Sequence, residues 1–348
     1  MPISAVNLEP WLGRVALERI QTIDTHTAGE ALRIILSGVP LPEGQNILER
    51  RNSAQGSWDR VRRILMFEPR GHSDMYGALI VPPVSSNALF GVLFMHNEGY
   101  STGCGHATIA LAKIAVELGW TPAIEPLTAV NIDAPSGLLK AYARVAHGRV
   151  TSSGFENVPS FAALLRTKVM VKDLSGEVQF DLGYGGAFYA YVDAQSIGLK
   201  LDLSNARQII DWGMAIKEAV AASFPVQHPQ SADLSFLYGT IFTGPANRTH
   251  HSRHACVFAD GALDRSPTGT GVAGRLAILR ARGELQLNKS VSFESITAEA
   301  FQGVILRDCA LGEIQAVIPQ IEGTAFITGR HEFILESGDP LGGGFLPR

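Results

Sequence analysis

Charge is scarce in this sequence: Asp, Glu, Lys and Arg supply 18% of its 348 residues, against roughly 25% in typical soluble domains. Positive charge is scarcer still, with a net charge of −4 and no Lys/Arg-rich run. A nucleic-acid footprint needs a basic patch, so DNA and RNA are not expected partners. Cysteine is limited to Cys104, Cys256 and Cys309, which are odd in number, far apart and outside any CxxC pair. That excludes a disulfide framework and a structural zinc site, and it fits a reducing cytoplasm. The opening MPISAVNLEPWLGR lacks a basic region followed by an apolar stretch, so no signal peptide is expected. The longest uncharged run, 77–95, is split by Pro82–Pro83 and by Ser85–Ser86–Asn87. It reads as two buried strands rather than a membrane span. A P-loop, a GxSxG elbow, HExxH and short-period repeats are all missing.

Apolar residues are plentiful, at 46%, and 36 glycines punctuate them. Global disorder is therefore excluded, and the length favours two domains. Strands are expected at 18–24, 30–37, 77–81, 90–95, 127–133 and 138–146 in the first half. In the second half they are expected at 167–171, 177–181, 187–193, 234–242, 254–259, 290–297 and 312–318. A polar helix is expected near 43–65 and another over 205–223, while 147–166 reads as a turn-rich crossover. The helices over 105–119 and 269–282 differ from these in being apolar almost all round. Such helices belong inside a domain, wrapped by strands.

These two helices also align. Ser101-Thr-Gly-Cys-Gly-His over Arg265-Ser-Pro-Thr-Gly-Thr places Cys104 over Thr268, each followed by glycine and an apolar helix. A duplicated domain with a site at its joint has this pattern. Cys104, between two glycines at a helix N-terminus, is where free N–H groups and about half a positive charge favour a thiolate. A small buried residue is the plain alternative, and Cys256 and Cys309 read that way. Thr268 reads by default as an N-cap. Gly269–Gly274 fits GxGxxG, with Glu294 downstream, but the ten-residue approach from the preceding strand argues against a dinucleotide site. His26, His72, His96, His106, His250, His251 and His254 invite a metal reading, but neither HExxH nor HxxEH occurs and His250–His251–Ser–Arg–His254 has no carboxylate at ligand spacing, so no metal is expected. Asn247–Arg248–Thr249 is formally a glycosylation sequon, irrelevant without secretion.

GYSTGCGHATIA (99–110) and DRSPTGTG (264–271) resemble the two signature segments of the proline racemase family. IDTHTAGEALRI (23–34), PRGHSDMYGALIVPP (69–83), FENVPSF (155–161), YGGAFYAYVD (184–193) and TGRHEFILESGDPLGGGF (328–345) also look like that family. The resemblance implies an α/β, diaminopimelate-epimerase-like fold of two pseudo-symmetric domains, each a curled sheet around a central helix. It places one domain at 1–148 plus 328–348 and the other at 149–327. No cofactor or metal is implied, and a homodimer is compatible with the family. Family racemases use two cysteines on opposite faces of the α-carbon, but here the second position is Thr268. A threonine hydroxyl is too weak an acid or base to racemise at neutral pH. The Cys/Thr pattern is similar to that of the family's trans-3-hydroxy-L-proline dehydratases, in which one group suffices. Hydroxyl and α-hydrogen share a ring face, so Cys104 removes the proton and can return it to the departing hydroxyl. By resemblance Gly105, His106, Gly269 and Thr270 bind this small-molecule substrate, and Asp264 accepts from its ring ammonium. The rival readings are a proline racemase or 4-hydroxyproline 2-epimerase, and an inactive binding protein on the same scaffold.

Overall fold

A computed structural model of the protein describes residues 18–56, 58–174, 176–246 and 249–347. The N-terminal segment read for a signal peptide lies outside the described residues, as do Asn247 and Arg248 of the sequon. No helix among the described residues is long and apolar enough to cross a membrane.

The chain builds the same unit twice. In the first half β1 (Glu18–Thr27) pairs antiparallel with β2 (Glu30–Ser37), and β2 runs parallel to β3 (Tyr76–Val81). β3 pairs antiparallel with β4 (Phe90–His96), which runs parallel to β6 (Leu127–Ala134). A meander of β6, β7 (Gly137–Ala146) and β8 (Arg149–Glu156) follows. The second half repeats each pairing with β10 (Gly176–Tyr184), β11 (Phe188–Asp193), β12 (Leu237–Gly244), β13 (Ser252–Phe258) and β15 (Val291–Glu294). Its meander continues through β16 (Ala300–Leu311) and β17 (Ile314–Gly323). The halves also exchange edges. β9 (Phe161–Val171) leaves the first meander to pair with β10, and β18 (Ala325–Leu335) leaves the second to pair with β1. β8 and β17 pair with each other and join the two sheets.

Each unit wraps one helix, α3 (Gly105–Glu117) in the first and α5 (Gly269–Ala281) in the second. α3 has no amphipathic face. From Gly105 to Val116 every residue but Lys113 is buried, against β1, β2, β7, β8 and β18. α5 is sunk in the same way against β9, β10, β16 and β17. Its GxGxxG glycines serve this packing: a Cβ at Gly271 would collide with Ile241 and one at Gly274 with the Tyr191 hydroxyl. Glu294 is buried and ion-paired with Arg253 at 2.6 Å. A short strand leads into each central helix, β5 (Gly99–Ser101) and β14 (Ala262–Asp264). Three peripheral helices, α1 (Ile47–Ala54), α2 (Asp59–Met66) and α4 (Ala206–Ser223), cover the outside.

Several expectations need correction. The polar helix expected at 43–65 is two helices, α1 and α2. The segment 147–166, expected as turns, is β8 and the start of β9. β8 is RVTSSGFE, with little intrinsic preference for strand; partners on both sides, β7 and β17, hold it extended. β16 and β18 were not expected at all; β18 is apolar only at its two ends, AFI and FIL, around a TGRHE middle, and its long pairing with β1 holds it extended.

The two central helices meet end to end. A Cβ on Gly105 would lie 2.8 Å from the Gly269 Cα, and one on Gly269 would lie 2.9 Å from the Gly105 Cα. Gly105→Ala and Gly269→Ala are therefore expected to destabilise by about 1–3 kcal/mol, the usual cost of overpacking, although alanine is the better helix former. Gly176→Ala, where the new Cβ meets nothing within 4 Å, should change stability by less than about 0.5 kcal/mol. Urea unfolding of the three variants checks this, and equal midpoints would contradict it.

Candidate active site

Both helix starts open into one cavity of about 460 Å³. Cys104, Gly105 and His106 line it from the first half, and Asp264, Thr268, Gly269 and Thr270 from the second. The seven catalytic and substrate-binding residues expected from the sequence thus come together there. So do several that sequence reasoning missed as site residues: Tyr76 and Ser101 on one wall, Tyr189, Tyr238 and Phe258 on the other. The first turn of each helix leaves backbone N–H groups without intrahelical partners, and two such turns converge at the Gly105–Gly269 contact. Opposed positive helix ends form a receptor for a carboxylate.

Cys104 occupies the N-cap position of α3 with an extended backbone, φ −152°. Its Sγ lies 3.2 Å from His106 Nδ1, and the Ala107 N–H and Tyr76 hydroxyl also reach it. Tyr76 in turn touches the Ser101 hydroxyl and meets the His106 ring edge-on at 4.9 Å. The expectation of a thiol acidified by its helix end is not met. Burial pushes the Cys104 thiol up, the Ala107 N–H and Tyr76 hydroxyl pull it down, and the Asp264 and Glu30 carboxylates raise it again. Desolvation outweighs the helix end because the thiolate loses most of its water, whereas the helix offers a partial charge. The same burial pulls the His106 imidazole down to about 4, leaving it neutral at physiological pH.

Thr268 breaks the symmetry. Its φ is +64°, a left-handed conformation rare for a β-branched residue and costing on the order of 1–3 kcal/mol. It stands at the N-cap position but makes no side-chain cap, so the capping role expected for it is corrected. Its hydroxyl instead donates to Asp264 Oδ2 at 2.7 Å, and its N–H donates to Ser266 Oγ at 3.1 Å. Asp264, buried on β14, also accepts the Ser266 N–H at 2.7 Å. The turn DRSPT is thus tied to one carboxylate, which holds Thr268 in its strained geometry. Glu30, from β2, lies beside this turn, accepting the Arg265 N–H at 2.8 Å and pairing with the Arg265 side chain at 3.0 Å. Burial and the neighbouring Asp264 charge push the Glu30 carboxyl well up. Its only mark in the sequence is a glutamate opening a strand whose other polar residues are Arg33 and the terminal Ser37, EALRIILS. Thr270, one residue inside α5, shares a 2.8 Å hydrogen bond with the Tyr189 hydroxyl.

A family model described as Proline racemase matches residues 22–346. The chain is 44% identical to the trans-3-hydroxy-L-proline dehydratase of Colwellia psychrerythraea, over 99% of this chain and 98% of that one. It is also 44% identical to a 3-hydroxyproline 2-epimerase of Burkholderia multivorans, over 94% and 98%. Among solved structures, a hydroxyproline epimerase from Agrobacterium vitis with bound trans-4-hydroxy-L-proline superposes with a TM-score of 0.86 at 30% identity, covering 95% and 96% of the two chains. The two-sheet, two-helix fold is the one the resemblance implied.

The charge arrangement around Cys104 has a direct readout. Iodoacetamide labelling, followed by mass spectrometry of the Cys104 peptide, should be slow at neutral pH and accelerate as pH rises beyond the ordinary thiol range. Asp264→Asn removes one of the charges holding the thiol up, so its labelling curve should move to lower pH. Wild-type labelling already maximal at neutral pH would contradict this arrangement.

Proposed function

Because the chain belongs to the proline racemase family yet presents a single thiol between its helix starts, we propose that it dehydrates trans-3-hydroxy-L-proline. The product is an enamine that tautomerises to 1-pyrroline-2-carboxylate. The observation that carries this reading is the 2.7 Å hydrogen bond from Thr268 to Asp264. The hydroxyl opposite Cys104 spends its proton on a carboxylate, and its own acidity and basicity lie far from neutral pH. One face of the substrate is therefore equipped for proton transfer. A syn elimination needs only one.

The substrate carboxylate sits on the N–H groups of Gly105, His106, Gly269 and Thr270. There the two helix ends stabilise the charge that spreads onto it as the α-proton leaves. The ring ammonium faces Asp264. This pairing does two things. It keeps the nitrogen cationic, which makes the α-proton easier to remove. It also offsets the carboxylate charge that raises the Cys104 thiol, so substrate binding itself favours the thiolate that attacks the α-proton. A cavity of about 460 Å³ suits one small molecule, within the roughly 300–1,000 Å³ of ordinary ligand sites. Proton removal and hydroxide loss are acid–base steps and call for no cofactor. The same reading divides the chain at residues 148/149 and 327/328; β8, which closes the first meander and pairs with β17, lies just past the first boundary, and the tail returns to the first unit through β18.

Epimerisation is the second reading, favoured by the name of the Burkholderia relative. Incubation with the proline and hydroxyproline isomers, scored for ketimine and for optical rotation, separates the two. Ketimine from trans-3-hydroxy-L-proline alone is expected, and rotation change without ketimine would overturn the dehydratase reading. Cys104→Ser should lose at least ~10²-fold in dehydration, the lower end for a positioned base, while calorimetry shows pyrrole-2-carboxylate still bound. Thr268→Cys places a titratable group on the second face. It should incorporate solvent deuterium at the α-carbon of recovered D-configured substrate, weakly, since positioning within an ångström matters. No exchange beyond wild type would contradict the two-face geometry.

A further inference from the structure

The departing hydroxyl needs a proton, since hydroxide leaves poorly from carbon unless an acid assists it. The elimination is syn, so that donor must stand on the Cys104 side of the ring. Besides the thiol itself, that wall carries a titratable group that serves neither helix start. It is His96, at the end of β4, which lines the same cavity as Cys104. Its Nδ1 lies 2.9 Å from Glu98 Oε2. The Glu98 N–H also faces Nδ1, at 3.2 Å, but the carboxylate contact is shorter and charge-assisted, so it puts the proton on Nδ1 and leaves Nε2, which bonds to none of the described residues, as the working nitrogen.

The support around this pair is rigid. His96 faces Gly99 across a two-residue turn, Asn97–Glu98, so Glu98 folds back onto the imidazole. Arg62 donates to the His96 carbonyl at 2.9 Å and to the Asn97 carbonyl, and is itself held by Asp59 at 2.6 Å. The buried Asn97 side chain donates to the Met66 carbonyl at 2.8 Å and accepts the Met75 N–H at 3.2 Å. Tyr76 links the pair to the thiol: its ring lies 5.7 Å from that of His96, and its hydroxyl reaches Cys104. In the second half the corresponding turn, Ala259–Asp260–Gly261, carries no histidine. The asymmetry that replaces a second cysteine with Thr268 therefore extends to this turn.

Resting on the dehydratase reading, we propose that His96, oriented by Glu98, is the acid that protonates the departing 3-hydroxyl. The Cα–H bond breaks as its proton passes to the Cys104 thiolate. The electron pair left on the α-carbon forms the double bond to C3. The C3–O bond breaks, and its oxygen takes the Nε2 proton and leaves as water. Cys104 ends as a thiol and His96 as a neutral imidazole. Transfer of the thiol proton to the imidazole restores the starting pair.

The test compares two leaving groups, because fluoride departs without a proton. Wild type, His96→Asn and Glu98→Gln are assayed with trans-3-hydroxy-L-proline and trans-3-fluoro-L-proline, and pyrrole-2-carboxylate binding by calorimetry reports that each site is intact. His96→Asn should lose at least ~10²-fold in dehydration and nearly retain fluoride elimination. Glu98→Gln should show a smaller loss with the same preference for fluoride, and it carries the test alone if His96→Asn does not fold. Equal losses on both substrates would overturn the proposal, and so would unchanged dehydration, which leaves the thiol as donor. A wild type inert toward the hydroxy substrate would instead overturn the dehydratase reading, before any variant is considered.

Discussion

Everything at the centre of this protein depends on two helices meeting backbone to backbone at Gly105 and Gly269. A methyl group on either would stand under 3 Å from the other's Cα, so the approach exists only because neither residue has a side chain. Close approach brings two sets of unpaired N–H groups, and two positive helix ends, to one point. Such a pair of ends repels unless an anion lies between them. The sheets wrap these helices on nearly all sides, so burial of α3 and α5 supplies the apolar stabilisation that offsets a costly head-to-head contact.

Around that point duplication supplies the geometry and divergence supplies the chemistry. The two units match strand for strand, yet Cys104 sits in extended backbone while Thr268 is held at φ +64° by Asp264 and Ser266. Cys104, His106, Tyr76 and His96 all stand on one wall. The opposite wall offers a committed hydroxyl, a carboxylate and aromatic rings. Such a pocket carries its thiol and imidazoles on one face and its buried carboxylate on the other.

Electrostatics ties the two walls together. Burial, and after it the carboxylates of Asp264 and Glu30, raises the Cys104 thiol, and burial keeps the His106 imidazole neutral. The charge state of the thiol is thus coupled to the charge at Asp264 on the facing wall. The strain stored at Thr268 and the carboxylate that bonds it belong to the same turn, so placement of the Thr268 hydroxyl and the charge felt by the thiol share one residue.

How much of this was legible beforehand differs by level. The apolar, all-buried character of 105–119 and 269–282 and their glycine-led starts were readable directly, because a helix without a polar face has nowhere to go but a core. The alignment of Cys104 over Thr268 was also readable, and with it the replacement of a second thiol by a hydroxyl. By contrast β8, with its serines and glycine, is a strand only because β7 and β17 flank it. The thiol's neutrality is another product of tertiary structure: a helix N-terminus alone argues for a thiolate, and burial reverses this, with carboxylates from β2 and β14 adding to it. Glu30 is 234 residues from Asp264 in sequence. Local pattern specifies which side chains can ionise; whether they do is decided by water lost and charges brought near, and folding sets both.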